Sequence, residues 1–94
     1  MNVLTLNSLE FKKQKAEDIC TMLNHYDVIS ISFFKKPVLA IHSGETPLAK
    51  GEIRMIDLLR LSKKDIDRLL GRKKALNIIW SKDKIIVGHV TRWS

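Results

Sequence analysis

The chain has 94 residues, 45% of them hydrophobic and 29% charged, with a formal net charge of +7. This length supports one hydrophobic core and this composition excludes a disordered tail, so we expect a single small domain over residues 1–94. A single cysteine, Cys20, excludes an internal disulfide. The lack of a signal-peptide pattern and of a run of roughly 18 apolar residues predicts a cytoplasmic protein without a membrane span.

The first elements are a strand and a helix. Residues 3–6 alternate weakly and predict a short strand, which ends at Asn7 and Ser8, two residue types that favour helix starts. Apolar residues then recur at spacings of three, four and seven over residues 9–26, with Cys20 among them. This spacing predicts one amphipathic helix with a buried stripe.

A hairpin follows the helix. Residues 28–33 alternate with a period of two, and residues 38–41 form a second apolar run after the turn at 35–37. Residues 42–47 contain Gly and Pro and predict a loop that joins two sub-parts, residues 1–43 and 51–94.

The second half predicts two helices and another hairpin. Residues 51–61 fit a helix, and Ser62 with Asp65 forms a helix cap that starts a second one, which stops at Gly71. Residues 76–80 and 85–93 are rich in β-branched and aromatic side chains and predict the hairpin. The expected fold class is therefore α+β: a strand–helix–hairpin half, then two short helices and a carboxy-terminal hairpin. No residue-level repeat between the halves is expected.

Positive charge is concentrated in the second half. Residues 1–50 carry six basic and five acidic side chains, a net charge of +1, whereas residues 51–94 carry eleven and five, a net charge of +6. Such a concentration is typical of a surface that binds a phosphate backbone or another anionic partner. The alternative is lysine that only keeps a small protein soluble.

The element order of the second half is that of a winged helix-turn-helix, in which one helix enters the major groove. Most basic residues there would contact phosphates, and only Arg68 or Arg72 is placed to read a guanine edge. A solvated lysine face is the alternative. The candidate nucleic-acid-binding residues of this half are Lys63, Lys64, Arg68, Arg72, Lys73, Lys74, Lys82 and Lys84.

The first 43 residues carry a recognisable order of motifs. A short strand, the segment Asn-Ser-Leu-Glu at 7–10, a basic helix and the strand Lys-Pro-Val-Leu-Ala-Ile at 36–41 follow one another. In this order the half resembles the Phd/YefM family of antitoxins. The resemblance implies a dimer that binds operator DNA through Lys12, Lys13 and Lys15, and a toxin as protein partner.

Two features differ from that family. The family's turn usually has the sequence Arg-x-Gly-Lys-Pro. The corresponding segment here, Phe33 to Pro37, contains neither the arginine nor the glycine. The family also tends to end in an acidic toxin-binding segment, whereas this second half is basic. These differences weaken the inference of toxin neutralisation more than that of nucleic-acid binding.

Three aromatic residues are candidates for surface contacts or for packing. Phe34 alternates away from the buried side of the first hairpin and is the candidate partner-binding residue, through a base, a partner's pocket or a dimer interface. Trp80 and Trp93 lie near the ends of the last hairpin, where a cross-strand pair is favoured over base stacking.

Catalytic patterns are weak. No histidine has a cysteine or acid at metal-ligand spacing, so no metal site and no cofactor are expected. A nuclease needs a base and a cation near the phosphate. The residues that offer such pairs are Asp65, Asp67 and Asp83 with neighbouring lysines, and His89 with Arg92.

The leading hypothesis is a small dimeric DNA-binding regulator, an antitoxin-like transcriptional autorepressor that uses a basic surface of its second half. It is not an enzyme, and it binds DNA in preference to RNA. The alternative is a compact mobile-element inhibitor or adaptor whose basic face, or Phe34, binds a protein such as a nucleic-acid-binding enzyme. A small nuclease is the third hypothesis.

Overall fold

The computed structural model describes residues 2–44, 51–71, 75–79 and 86–92. Within these ranges one mixed sheet contains six strands: β1 (Val3–Asn7), β2 (Val28–Phe33), β3 (Lys36–Ser43), β4 (Gly51–Arg54), β5 (Ala75–Ile79) and β6 (Ile86–Arg92). Their order across the sheet is β1–β2–β3–β6–β5–β4.

The same ranges contain four short helices, which connect the strands. They are α1 (Ser8–Lys13), α2 (Ala16–His25), α3 (Met55–Leu58) and α4 (Lys63–Leu70). Helices α1 and α2 join β1 to its parallel neighbour β2, and α3 and α4 join β4 to its parallel neighbour β5. Strands β2 and β3, and likewise β5 and β6, pair antiparallel. Each half is therefore a strand, two helices and a hairpin.

The predicted fold class is wrong, because one sheet dominates the molecule and both hairpins belong to it. Residues 51–61, predicted as a helix, form strand β4 and the short helix α3. The spacing of Ile53, Ile56 and Leu59 is that of a helix, but Ile53 lies opposite Ile78 of β5. Pairing with a parallel partner outweighs this local pattern. The first helix expected for a winged helix-turn-helix is thus replaced, within the described residues, by a strand of the sheet and a four-residue helix.

The predicted helix over residues 9–26 is interrupted at Gln14 and Lys15. Both have extended backbone, with ψ of 151° and 159°. The Gln14 N–H donates to the Phe11 carbonyl at 3.1 Å, and the Lys15 N–H donates to the Asp18 carboxylate at 2.9 Å. The first contact closes α1 and the second starts α2, so the chain turns here without the Gly or Pro that usually marks a break.

The predicted starts of α1 and α4 are confirmed. The Asn7 side chain accepts from the Glu10 N–H at 2.8 Å, and the Ser62 hydroxyl accepts from the Asp65 N–H at 3.2 Å. Side-chain oxygens at these positions satisfy backbone donors that have no partner within the helix. The predicted loop begins later than expected, since His42 belongs to β3. Residues 45–47 of that prediction lie outside the described residues.

The two halves repeat the same register 47 positions apart. Leu6 pairs with Ile31, and Ile53 pairs with Ile78. Each hairpin also has an irregularity at the equivalent point, after Ile31 and after Ile78. The expectation of no residue-level repeat is therefore wrong.

Core residues follow the same repeat. Each helix pair buries equivalent positions against the sheet: Phe11 and Leu58 are equivalent, as are Ile19 and Ile66, and Leu23 and Leu70, all with at most 7% of their surface exposed. These residues belong to one hydrophobic cluster with the buried residues of the strands. Because polar side chains of different type separate them, the repeat is hard to see in the sequence.

The halves join through β3 and β6, whose pairing places Ile41 opposite Val90. In the hairpins, Ile29 pairs with Ile41 and Leu76 pairs with Val90, so Ile41 and Val90 are equivalent positions. From either edge of the sheet, the first, second and third strands of one half also follow one another in that order. The chain thus has an approximate two-fold relation centred on the Ile41–Val90 pair.

Two histidines lie beside this centre. His42 of β3 is opposite His89 of β6, and their rings stack with centroids 4.7 Å apart. The His42 Nε2 is also 3.1 Å from the Thr91 hydroxyl. Successive residues of a strand alternate between faces, so both rings lie on the face opposite to that of Ile41 and Val90. The pair therefore bridges the two halves away from the helices.

Acid is expected to destabilise the protein through these two histidines. Burial lowers the pKa of both, and for His42 the neighbouring His89 lowers it further. The unfolded chain therefore binds more protons below about pH 6.5, so the stability is complete above that pH and is lost as the pH falls. Urea unfolding at pH 7.5 and 5.0 measures this loss, which His42→Gln should reduce. His25→Gln, at the exposed end of α2, is the control; an equal effect of both variants would contradict the prediction.

None of the helices in the described residues is long and apolar enough to span a membrane.

Candidate nucleic-acid interface

A groove of about 380 Å³ lies where the two halves meet on the helical side. One wall is the turn between α1 and α2, and the other is α3 with the residues that follow it. The turn exists because Asp18 caps α2 at Lys15, and α3 is held in place by buried Met55 and Leu58. The lining residues are Lys12, Gln14, Lys15, Ala16, Glu17, Ile56, Leu59 and Arg60.

Three cations and one acid line this groove. Lys12, Lys15 and Arg60 are all exposed, and Glu17 is the acid. Among the described residues no acidic side chain is within ion-pair distance of the three cations. Their charge is therefore available to an anion from solution, such as the phosphates of a nucleic-acid backbone.

One groove cation, Arg60, has a cationic counterpart in the other half, Lys13, which lies next to the lining residues. Lys13 in the last turn of α1 and Arg60 after α3 are 47 residues apart, as are the Asn7–Glu10 cap of α1 and the Arg54–Asp57 ion pair at the start of α3. The Arg54 guanidinium donates to the Asp57 carboxylate at 2.8 Å, so this arginine is neutralised at the start of α3. Arg60 remains free of such a partner among the described residues.

The basic residues predicted on α4 differ in whether they have an acidic partner. Lys63 donates to Asp67 at 3.2 Å, and Arg92 of β6 lies 3.4 Å from the same carboxylate. Lys64 and Arg68 are exposed. The structure thus leaves two of the three candidate cations on this helix unpaired among the described residues. The remaining candidates, Arg72, Lys73, Lys74, Lys82 and Lys84, lie outside the described residues, as do Trp80 and Trp93.

Of the residues considered for nuclease chemistry that the structure describes, Asp67 lies beside cations, Asp65 caps a helix and His89 is directed away from Arg92. The Ser62 hydroxyl and backbone lower the pKa of Asp65, which caps α4. Asp67 contacts Lys63 and Arg92. His89 and Arg92 are three residues apart in β6, so their side chains point to opposite faces. Asp83 lies outside the described residues.

The single thiol is a poor nucleophile. Cys20 is half-buried on α2, whereas the sequence predicted it on the buried face. Burial raises its pKa to about 11, with a smaller contribution from the Glu17 carboxylate. A thiol is reactive as the thiolate, which at neutral pH is a minor form here.

The sequence interpretation missed Arg60 and Ile56 as groove residues. Their segment was assigned to a helix of its own, and nothing local connects it with the α1–α2 turn. A comparison of the chain with itself shifted by 47 positions aligns Asp18 and Ile19 with Asp65 and Ile66. This match makes α4 the counterpart of α2, and therefore α3, which precedes α4, the counterpart of α1. It predicts that α1 and α3 lie on equivalent sides of the two-fold relation between the halves.

Comparison with known proteins gives no family for this chain. No protein-family model matches it, and no solved structure matches it. The relation of its first half to the Phd/YefM antitoxins therefore stays a resemblance between short motifs.

Proposed function

We propose that this chain is a DNA-binding regulator that acts by binding rather than catalysis, with the groove between the α1–α2 turn and α3 as its phosphate-contacting surface. The observation that carries this proposal is the convergence of Lys12, Lys15 and Arg60 from two halves of the chain on one groove. Lys13, next to them on α1, extends the basic surface.

The approximate two-fold relation supports duplex DNA as the target. The backbones of a duplex are themselves related by local two-fold axes, so equivalently placed cations meet equivalent phosphates on the two strands. Lys13 and Arg60 are one such pair. The exposed residues Lys64 and Arg68 of α4 add positive charge outside the groove.

The regulatory role that we propose is transcriptional autorepression in the cytoplasm. It is supported by the antitoxin-like motifs of the first half together with the basic character of the second. In this role the chain forms a homodimer and binds a toxin as protein partner. Light scattering of the purified protein at several concentrations tests the homodimer.

A second candidate function is that of an inhibitor or adaptor that binds a nucleic-acid-binding enzyme. The observation that favours it is an apolar side chain inside the basic groove, Ile56, with 48% of its surface exposed. Leu9, at the equivalent position of α1, is 70% exposed. Apolar side chains within a charged rim are typical of protein interfaces.

Substitution of the three groove cations is expected to weaken DNA binding and its salt dependence. Each phosphate contact contributes about 0.9 to the slope of log K against log salt concentration, so the variant Lys12→Ala/Lys15→Ala/Arg60→Ala should lose about 2.7 from that slope. Fluorescence anisotropy with a labelled duplex from the chain's own upstream region, across a salt series, measures it. A random-sequence duplex tests specificity.

The matched control is Lys63→Ala/Lys64→Ala/Arg68→Ala, which removes the same formal charge from α4. A smaller slope change in this control supports the groove as the interface. Equal changes in both variants would mean that only net charge matters and would contradict the proposal. Weak, sequence-blind binding by the unmodified protein would favour the inhibitor or adaptor.

A further inference from the structure

The tip of the β2–β3 hairpin holds an exposed aromatic ring on strained backbone. Phe34 has a φ of 52° and Lys35 a φ of 66°, and no other non-glycine residue within the described ranges has a positive φ. A two-residue turn of this kind normally contains Asn, Asp or Gly, because other side chains crowd the backbone in the left-handed region. The tip therefore reduces the stability of the hairpin.

The Phe34 side chain does not offset this strain by packing. Its surface is 86% exposed, and Lys35 and Lys36 beside it are also exposed. Neither lysine has an acidic partner among the residues that the structure describes. Strained backbone that holds an unburied ring points to a role in binding rather than in folding.

We propose that Phe34 stacks on an unpaired base of a nucleic acid while Lys35 and Lys36 contact the neighbouring phosphates. The inference rests on the proposed function and deepens it, because it assigns a ligand to a second part of the surface. One aromatic ring followed directly by two cations suits one base together with the phosphates beside it. A protein pocket normally takes several apolar groups, whereas Phe34 is the one large exposed apolar residue of the β2–β3 hairpin.

The position of the tip allows one nucleic acid to reach both surfaces. Asn7, which caps α1, lies opposite Ser32 near the end of β2. The tip therefore lies at the end of strands β2 and β3 that is next to the start of the basic helix α1. A duplex bound along α1 that contains an unstacked base at this end of the sheet would present that base to Phe34.

The test compares two labelled 20-base-pair duplexes that are identical except for one unpaired thymine. We expect the unmodified protein to bind the bulged duplex about tenfold more tightly, as measured by fluorescence anisotropy at fixed salt, since stacking of one base on an aromatic ring has an effect of this order. Phe34→Asn should abolish the preference without weakening binding to the paired duplex. Phe34→Tyr should retain the preference.

The strain gives a second readout that does not depend on binding. Phe34→Asn and Lys35→Gly suit left-handed backbone and should each raise the melting temperature by about 5 °C. Lys35→Gly keeps the ring and should keep the preference for the bulge. A melting temperature that does not rise for either variant would contradict the strain on which the proposal stands.

The outcomes separate this inference from the proposed function. Equal binding of the two duplexes by the unmodified protein, or an equal loss for both duplexes in Phe34→Asn, would overturn the stacking role. If the groove variant still weakened binding to both duplexes, the DNA-binding proposal would stand. A bulge preference that survives the groove substitutions with unchanged affinity would instead support the tip and contradict the groove.

Discussion

Replacement of Phe11 by alanine is expected to lower the free energy of unfolding by about 4 kcal/mol. Phe11 is 1% exposed and is the buried residue of α1, in contact with the central hydrophobic cluster. Its removal deletes a large apolar side chain and leaves a cavity that the short helix cannot fill without moving. The Gln14 N–H that closes α1 donates to the Phe11 carbonyl, so a shift at this residue also displaces the basic turn.

Urea unfolding followed by circular dichroism measures this loss. The matched control is Leu9→Ala in the same helix, because Leu9 is 70% exposed and its truncation should change the stability by less than about 0.5 kcal/mol. Leu58→Ala, at the equivalent position of α3, should resemble Phe11→Ala in direction. Similar stabilities for the Phe11 and Leu9 variants would mean that α1 does not contribute to the core as described.

Replacement of Gly88 by alanine is expected to destabilise the protein by about 3 kcal/mol. A Cβ atom on Gly88 would overlap the His42 carbonyl oxygen and crowd the carbon of the same group. Both are backbone atoms of the neighbouring strand, so they cannot rotate away as a side chain would. The substitution therefore forces β3 and β6 apart beside the histidine pair, at the joint between the halves.

Gly44→Ala is the matched control, because a Cβ atom on Gly44 would meet no atom within 4 Å. Thermal unfolding of the two variants at one protein concentration makes the comparison. Comparable melting temperatures for the two would contradict the close approach of the strands at Gly88. Loss of stability in Gly88→Ala alone would confirm that the halves depend on this contact.

Helix starts were predictable from the sequence, whereas the pairing of strands that are distant in the chain was not. Asn7 was identified as a helix start from its residue type, and Ser62 from the acid three residues after it; both signals are local. Strand β4 was missed because it has only four residues, none of them fully buried, which is too short for its alternation to stand out in the sequence. It is a strand because Ile53 pairs with Ile78, a contact across 25 residues.

The candidate groove was half predictable for the same reason. Lys12 and Lys15 were identified through the resemblance of the first half to the Phd/YefM antitoxins, which implies DNA contacts from the basic region of the first helix. Arg60 and Ile56 join them only through the packing of α3 beside the α1–α2 turn. The turn was missed as well, because its stop signal is the backbone contact of Lys15 with Asp18 rather than a breaking residue.

Because the two equivalent halves are covalently linked, their pairing does not depend on the protein concentration. Where two separate chains must pair to complete a sheet, the paired fraction falls as their concentration falls. Here β3 and β6 belong to one chain, so their encounter is intramolecular and occurs at a fixed effective concentration. Even a few molecules in a cell would retain the Ile41–Val90 pairing and the groove that both halves line.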